Sequence, residues 1–249
     1  VTVASATICI NSSTTLSATG AQTYVWSPGT GLSSTTGSSV TANPTTTTVY
    51  TITGTAGTCT AVTTATVTVN PLPIVTVNSG TICLGQQTAT LTAGGASTYI
   101  WSPATGLSSA NGSSVSATPG VTTSYTVTGT DANGCVNTAA TAVTVNPLPT
   151  LTLTSGFICN GSTATLTASG ASTYSWSPAT GLSSTTGSSV TGNPISTTQY
   201  TVTGTDANGC VDSDTTSITV VNNPTVTVAS ATICINSSTT LNASGAQTY

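Results

Sequence analysis

Residues 123–145 read TSYTVTGTDANGCVNTAATAVTV, and this stretch decides the fold. On either side of Asp131-Ala-Asn-Gly134, small or branched side chains alternate with polar ones, which is the period-two pattern of a strand with one buried and one wet face. The Asn-Gly pair suits a tight turn because both residue types tolerate positive φ. The stretch therefore predicts a β-hairpin, with Cys135 directly after its turn.

The same alternation extends through a whole unit of about 75 residues, and no helical stripe interrupts it. Gly, Pro, Asn and Ser break it at intervals of roughly ten residues, as in all-β proteins. We expect six or seven short antiparallel strands per unit, forming a small sandwich of the immunoglobulin type. In the second unit the predicted strands lie near 74–79, 87–94, 97–102, 113–118, 123–130 and 136–145.

This unit is written three times and begun a fourth, so the chain is an array. Its tryptophans, Trp26, Trp101 and Trp176, stand 75 residues apart. Proline-containing segments close the three full copies, at 70–73, 146–149 and 222–224. The predicted domains are repeat 1 (1–73), repeat 2 (74–149), repeat 3 (150–224) and the N-terminal part of repeat 4 (225–249).

The joints between copies are short, and proline favours extended and fairly stiff geometry there. Strands that rise about 3.3 Å per residue give each domain a length of about 25 Å, so we expect the copies to form an extended rod. Residues 226–249 match residues 1–24 at all but two positions and stop before the next tryptophan. We therefore expect the sequence to be a window on a longer array.

Composition argues against most chemistry. The chain has no Lys, Arg or His, and its only charged side chains are Asp131, Asp206, Asp212 and Asp214. General acid–base catalysis lacks its usual donors, and nucleic acid finds no cation that would displace its counterions. We predict no enzymatic activity, no cofactor and no nucleic-acid partner. With 64 Thr and 35 Ser, the surface stays soluble through hydroxyl groups, which suits hydration and glycans.

Seven cysteines indicate an oxidising compartment outside the cytoplasm. Each full copy holds two of them, and closing a loop of some 50 residues would contribute about 4 kcal/mol in the chain-entropy model. We favour pairs within copies: Cys9 with Cys59, Cys83 with Cys135 and Cys159 with Cys210, which leaves Cys234 single. The alternative joins cysteines across the joints: Cys59 with Cys83, Cys135 with Cys159 and Cys210 with Cys234.

Aromatic residues supply the predicted cores. A single Trp in a small sandwich is usually part of the core, and a sugar-stacking platform at the Tyr-x-Trp segments is the alternative. The predicted core residues are Trp26, Trp101, Trp176, Tyr50, Tyr125 and Tyr200. Asp131 and Asp206 are interpreted as turn caps, because one carboxylate per turn is a poor start for the six to eight oxygens of a calcium site. We predict no metal site, since no CxxC pair or His supplies a zinc ligand set either.

Five segments of the second copy form a recognisable string: Thr81-Ile-Cys-x-Gly85, Thr90-Leu-Thr-Ala93, Tyr99-x-Trp-Ser-Pro-x-Thr-Gly-Leu-Ser108, Tyr125–Cys135 and Val143-Thr-Val-Asn-Pro-Leu-Pro149. This string resembles the tandem Ig-like or PKD-like repeats of very large secreted surface proteins of the Bacteroidetes type, including gliding and biofilm adhesins. The resemblance implies export through a type IX-like route and anchorage by a separate terminal domain.

These features favour a structural role at the cell surface, outside the cell, as the stalk of an adhesin or as an extracellular filament. Other copies of the same chain are predicted partners, through bundling of rods. One alternative is an array in which every domain offers the same weak sugar or surface contact, and another makes the domains spacers of a secreted polysaccharide-degrading enzyme. We predict no membrane-spanning segment within these 249 residues.

Overall fold

A computed structural model describes residues 1–247 of the chain. Thr248 and Tyr249, at the end of the predicted fourth repeat, lie outside the described residues. Every regular element in the described residues is a β-strand, so the predicted all-β class is confirmed. The chain divides into two compact units, Val1–Val145 and Asn146–Tyr249, and each is described separately.

The first unit begins with a sandwich formed by repeat 1. Its strands are β1 (Ala6–Cys9), β2 (Thr14–Ser17), β3 (Thr23–Ser27), β4 (Ser39–Ala42), β5 (Thr48–Ala56) and β6 (Cys59–Asn70). One sheet has the order β1-β6-β5-β3, and the other pairs β2 with β4. The alternating burial of β3 and β5 follows the alternation of apolar and hydroxyl side chains in the sequence.

Repeat 2 completes the first unit with a second sandwich. Its strands are β7 (Thr76–Val77), β8 (Gly80–Cys83), β9 (Ala89–Gly94), β10 (Thr98–Ser102), β11 (Ser114–Ala117), β12 (Thr123–Thr130) and β13 (Val136–Asn146). The sheet orders are β10-β12-β13-β8 and β11-β9-β7. The strand predicted near 74–79 is reduced to β7. Strand β8 was not predicted, because its four residues, the first of which is Gly80, are too few to show an alternating pattern.

The second unit repeats this plan in repeat 3. Its strands are β14 (Thr152–Leu153), β15 (Gly156–Cys159), β16 (Ala164–Ser169), β17 (Thr173–Ser177), β18 (Ser189–Gly192), β19 (Thr198–Thr205) and β20 (Val211–Val221). The sheet orders are β14-β16-β18 and β15-β20-β19-β17. In the residues that follow, β21 (Thr227–Val228) pairs antiparallel with β22 (Ala243–Ser244).

Strand direction differs from the prediction at one place in repeat 1 and at one place in repeat 3. β1 runs parallel to β6, with Ala6 opposite Val67 and Cys9 opposite Asn70. β15 likewise runs parallel to β20. The expectation of antiparallel strands throughout is therefore wrong, because the four strands between β1 and β6 provide the long crossover that a parallel pair needs.

Strands β12 and β13 form the predicted hairpin, paired from Thr123 opposite Val143 to Thr130 opposite Val136. The Asp131 carboxylate accepts hydrogen bonds from the backbone N–H groups of Asn133 and Cys135, both at 2.8 Å. Gly134 takes a φ of 80°, the left-handed region that the turn requires. Asp131 thus caps the turn and fixes where Cys135 stands.

Three separate hydrophobic cores lie between the sheets, one in each of repeats 1 to 3. Each core contains one Trp and two Tyr that are at least nine-tenths buried. The Trp26 indole is 1% exposed and the Tyr50 ring 0%, so the largest side chains of repeat 1 lie at the centre of its sandwich. Each repeat therefore has the means to bury its own apolar surface.

Candidate functional site: the cystine between successive repeats

Cys9 lies at the end of repeat 1 from which the chain leaves for repeat 2. It is the last residue of β1 and stands opposite Asn70, the last residue of β6. The Ile10 N–H donates to the Asn70 carbonyl at 2.8 Å and holds this corner together. The linker begins at the next residue, Pro71, so the Cys9 sulfur is placed beside the joint.

Cys59 lies at the opposite end of the same sandwich. It is the first of the 12 residues of β6, whereas Cys9 faces the last. A strand of this length spans about 36 Å, and a disulfide requires Cα atoms within about 7 Å. The predicted pair Cys9 with Cys59 is therefore wrong, and Cys59 has a free, exposed thiol.

Cys9 is instead bonded to Cys135 of repeat 2, with the two Cα atoms 5.5 Å apart and 126 positions between them in sequence. Cys135 is fully buried and follows the capped turn between β12 and β13. This turn is the end of repeat 2 that receives the chain from the joint. The cystine consequently ties the exit of one repeat to the entrance of the next, and it replaces the predicted pair Cys83 with Cys135.

The remaining cysteines also depart from the prediction. Cys83 and Cys210 are disulfide-bonded, whereas Cys59, Cys159 and Cys234 have free, exposed thiols. The predicted pair Cys159 with Cys210 is also wrong. Cys210 directly precedes the first residue of β20, whereas Cys159 lies opposite Val221, the last residue of that strand, so the two cysteines are at opposite ends of the sandwich. The alternative pairs Cys59–Cys83, Cys135–Cys159 and Cys210–Cys234 are excluded too, since each contains a free thiol or requires Cys135, which is already bonded to Cys9.

Hydrogen bonds and packing fix the segment after the linker onto repeat 2. The Asn137 side-chain amide donates to the Pro73 carbonyl at 3.0 Å, only two residues from Cys135. Farther along, the Thr141 hydroxyl donates to the Asn78 carbonyl at 2.8 Å. The Val75 side chain packs against the core of repeat 2. Both sides of the cystine are therefore anchored in secondary structure.

The observed pair is neither within one copy nor between cysteines adjacent in sequence, so it differs from both predicted sets of pairs. The signal that would have found it is strand direction: a parallel β1–β6 pair sends Cys9 to the end of the sandwich opposite the hairpin turn. Alternating sequence patterns do not specify whether neighbouring strands are parallel.

The predicted core tryptophans are placed alike in all three sandwiches. Each indole N–H donates to a glycine carbonyl at 2.9 Å: Trp26 to Gly37, Trp101 to Gly112 and Trp176 to Gly187. All three rings are at least 97% buried. A buried ring cannot stack on a sugar, so these indoles do not form the platform considered as an alternative.

Tyr50, Tyr125 and Tyr200 are buried as well, and each hydroxyl donates to a main-chain carbonyl 20 residues earlier, at 2.7–2.8 Å. The acceptors are Thr30, Thr105 and Thr180. Burial raises the pKa of all three phenols, and a hydrogen bond with the threonine two residues earlier opposes this increase. The bonds attach the strand β5 and its equivalents to the loop that follows the Trp strand.

The carboxylates serve local backbone geometry. Asp206 caps its turn as Asp131 does, accepting the N–H groups of Asn208 and Cys210 at 2.8 Å. Asp212 and Asp214 each accept the N–H group of the following residue. In the part of the chain that the structure describes, no three His, Cys, Asp or Glu side chains converge as a metal site would require.

A shallow groove recurs beside the Trp-bearing edge strand of every sandwich. Its volume is about 370 Å³ in repeat 1, 430 Å³ in repeat 2 and 390 Å³ in repeat 3. In repeat 1 it lies between Gln22–Val25 and Thr36–Ser38, and the half-exposed Val25 is one of its lining residues. In repeat 3 a serine, Ser175, stands where Val25 stands in repeat 1, so the apolar character of the groove is not constant.

Comparison with known proteins supports this description of the fold. Residues 147–224 match the family model described as "Ig-like domain CHU_C associated". This segment is an Ig-like domain. Because repeats 1 and 2 share its sequence pattern and strand plan, the chain is a tandem array of immunoglobulin-like β-sandwiches, as predicted. No curated protein matches the chain.

Solved structures of tandem immunoglobulin domains are similar at low identity. The I-band fragment I67–I69 from titin is 14% identical, with 88% of this chain and 96% of that one covered and a TM-score of 0.43. Extracellular domains 3–5 of Drosophila OTK are 10% identical, with 88% and 94% covered and a TM-score of 0.37. Residues 1–247 contain no helix with the length and apolar character needed to cross a membrane.

Proposed function

We propose that this chain is a non-enzymatic structural region of a cell-surface adhesin stalk or extracellular filament, and that its task is to resist extension. The observation that carries the proposal is the cystine between Cys9 of repeat 1 and Cys135 of repeat 2. A disulfide persists outside the cytoplasm, which agrees with a cell-surface location. Ig-like repeats with separate cores fit a structural or adhesive role.

The cystine changes the path that tension takes through the chain. Tension applied along the polypeptide reaches Cys9 and passes through the sulfur–sulfur bond to Cys135, so it bypasses residues 10–82, which precede the disulfide-bonded Cys83. These residues include strands β2 to β7 and most of the core of repeat 1. That core then does not need to withstand the full force, because its strands are not in the shortest covalent path.

The surface is suited to the same task. The chain carries 64 Thr and 35 Ser but no Lys or Arg, so its wet strand faces present hydroxyl groups without basic charge. Such faces stay hydrated and offer little electrostatic attraction to anionic polymers or to nucleic acid. A stalk benefits from being inert along its length, with its adhesive or anchoring contacts at its ends.

Single-molecule force spectroscopy on the whole chain, held at its two ends, tests the proposal. Under oxidising conditions residues 10–82 should contribute no extension, because Cys9 and Cys135 are bonded and Cys83 is disulfide-bonded as well. Addition of a reductant should release at least about 240 Å of new contour length, since these residues extend by about 3.3–3.6 Å each. Equal extension with and without reductant would contradict the proposal.

A variant with Cys59, Cys159 and Cys234 replaced by serine is the matched control. It lacks every free thiol but keeps all of the bonded cysteines. Its response to the reductant should equal that of the native chain. A changed response would show that the free thiols, and not the cystine, determine the extension.

A binding array is the second candidate, and the recurring groove beside the Trp-bearing strand favours it. Three weak sites of similar volume on one chain would gain affinity through avidity. A glycan array probed with the chain tests this function: retention of an oligosaccharide that weakens when Val25 or Ile100 is replaced by Asp would support it. A pure structural region should bind none.

A further inference from the structure

The first half of strand β6 in repeat 1 forms an open edge of its sheet. Strand β5 pairs with β6 from Cys59 to Val67, whereas β1 pairs with the last four residues of β6. Along a strand, successive backbone N–H groups point to opposite sides. The Thr66 N–H points away from β5, since it donates to the Ser5 hydroxyl at 3.0 Å. The same alternation turns three earlier N–H groups away from β5, those of Thr60, Val62 and Thr64.

These three N–H groups have no hydrogen-bond acceptor within the described residues, 1–247. The three residues are exposed, and the Val62 side chain is 63% accessible. The carbonyl groups of the same residues point to the same side of the strand. A row of unpaired N–H and C=O groups is a template on which a further strand can add.

Repeat 3 caps the equivalent edge with two carboxylates. The Asp212 carboxylate accepts the N–H group of Ser213 at 2.9 Å. The Asp214 carboxylate accepts the N–H group of Thr215 at 2.7 Å. Charged residues on an edge strand are a common means of preventing strand addition, and a capped N–H group has no free hydrogen for an incoming strand. This edge of repeat 3 is therefore guarded.

Repeat 1 has uncharged residues at the guarding positions. Asp212 stands opposite Gly204 in the ladder of repeat 3. Ala61 stands opposite Gly54 in the ladder of repeat 1 and is therefore its equivalent. Two positions farther along β6, Thr63 takes the place of the second aspartate. The two repeats share one strand plan, but they differ in whether this edge can accept another strand.

Repeat 2 shows that a preceding repeat leaves this edge accessible. It follows repeat 1 and is bonded to it through Cys9 and Cys135, yet its edge residues remain exposed. The middle N–H group of this edge is capped by the Asn137 side-chain oxygen at 2.9 Å. The open edge of repeat 1 therefore follows from the residues at 61 and 63, and does not depend on what precedes the repeat. The exposed edge residues of repeat 2 are Val136, Thr138 and Ala140, which correspond to Thr60, Val62 and Thr64.

We propose that the open edge of β6 binds the same edge of a second copy of this chain, so that two four-stranded sheets become one. In an antiparallel pairing about a two-fold axis, Val62 stands opposite Val62 of the second copy, and Thr60 stands opposite Thr64. Each of the three outward N–H groups then donates to a carbonyl of the other copy. The pairing thus satisfies every backbone group that the edge leaves open.

Charge and side chains favour a second copy as the partner. Repeat 1 contains no charged side chain, since the four Asp of the chain lie at position 131 and beyond, so two such edges meet without repulsion. Residues 60–67 are all Thr, Val or Ala, and Thr and Val favour strands. The two Val62 side chains, exposed in the single chain, become cross-strand neighbours and lose contact with water.

Sedimentation velocity over a wide range of concentrations tests the inference. The reference chain has Cys59, Cys159 and Cys234 replaced by serine, so that free thiols cannot link copies. We expect it to show a reversible equilibrium between monomer and dimer. Adding A61D/T63D, which places carboxylates where repeat 3 has them, should weaken dimerisation at least about tenfold.

The matched control is V49D/T51D, which adds the same charge to two exposed positions of the central strand β5. It should dimerise as the reference chain does. Circular dichroism of both double variants checks that they are folded. A reference chain that stays monomeric, or an equal loss of dimer in the two double variants, would overturn the inference.

A cysteine at the two-fold axis locates the contact. V62C in the reference chain should form a disulfide-bonded dimer in oxidised glutathione, since residues paired in this way have Cα atoms about 5.5 Å apart. T51C, on the exposed face of β5, lies away from the edge and should stay monomeric. Equal dimer yields from V62C and T51C would overturn the inference. Neither variant alters Cys9 or Cys135, so failure here would leave the force response of their cystine untouched.

Discussion

The Cα atoms of Cys9 and Cys135 lie 5.5 Å apart although 126 positions separate them in sequence. Cys9 ends the first strand of repeat 1, and Cys135 follows the hairpin turn of repeat 2. The bond therefore makes a covalent unit of two sandwiches that have separate cores. Removal of the bond should lower the stability of the linked pair of repeats, whereas the packing of side chains within each core should stay the same.

Replacement of Cys135 by serine should lower the stability of repeats 1 and 2 towards denaturant. In the chain-entropy model a loop of this size contributes at most about 5 kcal/mol. Urea unfolding followed by circular dichroism measures the change. The number of reactive thiols should rise from three to four, since Cys9 is freed. C59S is the matched control: it should reduce the number to two without any loss of stability.

Gly129 should not tolerate alanine. A Cβ atom there would lie 2.7 Å from Val75 Cγ2 and 2.8 Å from Ala96 Cβ, which is too close for carbon atoms. We expect G129A to cost about 1–3 kcal/mol of stability through overpacking, measured by thermal or urea unfolding. G120A is the control, because no atom lies within 4 Å of its added Cβ. A G129A chain as stable as G120A would show that repeat 2 packs differently.

Much of this fold could be predicted from the sequence. Period-two alternation located β9 to β13, and the turn at Asp131–Gly134 was identified from residue types alone. Strand direction could not be read, because a parallel β1 and an antiparallel one have the same alternating pattern. The direction of β1 decides at which end of repeat 1 Cys9 lies. Because β1 was expected to be antiparallel, the cysteine pairing was predicted wrongly as well.

Alkaline pH should destabilise the sandwiches. Burial raises the pKa of Tyr50, Tyr125 and Tyr200, so the folded chain holds these phenolic protons more tightly than the unfolded chain does. The stabilisation is complete below the unfolded value of about 10 and is lost as the pH rises through the folded value. Thermal unfolding between pH 8 and pH 11.5 should show a decline that begins near pH 10. The decline should be smaller in Y125F, and an unchanged pH dependence in this variant would contradict the assignment.

The three tryptophans should be shielded from solvent. Trp26, Trp101 and Trp176 are at least 97% buried, and their indole N–H groups are all hydrogen-bonded to glycine carbonyls. Acrylamide should quench the fluorescence of the native chain weakly and that of the urea-unfolded chain strongly. Addition of oligosaccharides should not shift the emission. A quenching constant close to that of free tryptophan would contradict the buried placement.

The most direct test is the identification of the cystine itself. The chain has no Lys or Arg for trypsin, so pepsin at acidic pH is the suitable protease, and it also suppresses disulfide exchange. Mass spectrometry of the unreduced digest should find the peptide containing Cys9 joined to the peptide containing Cys135. A peptide of Cys9 joined to Cys59, or of Cys83 joined to Cys135, would contradict a bond between successive repeats.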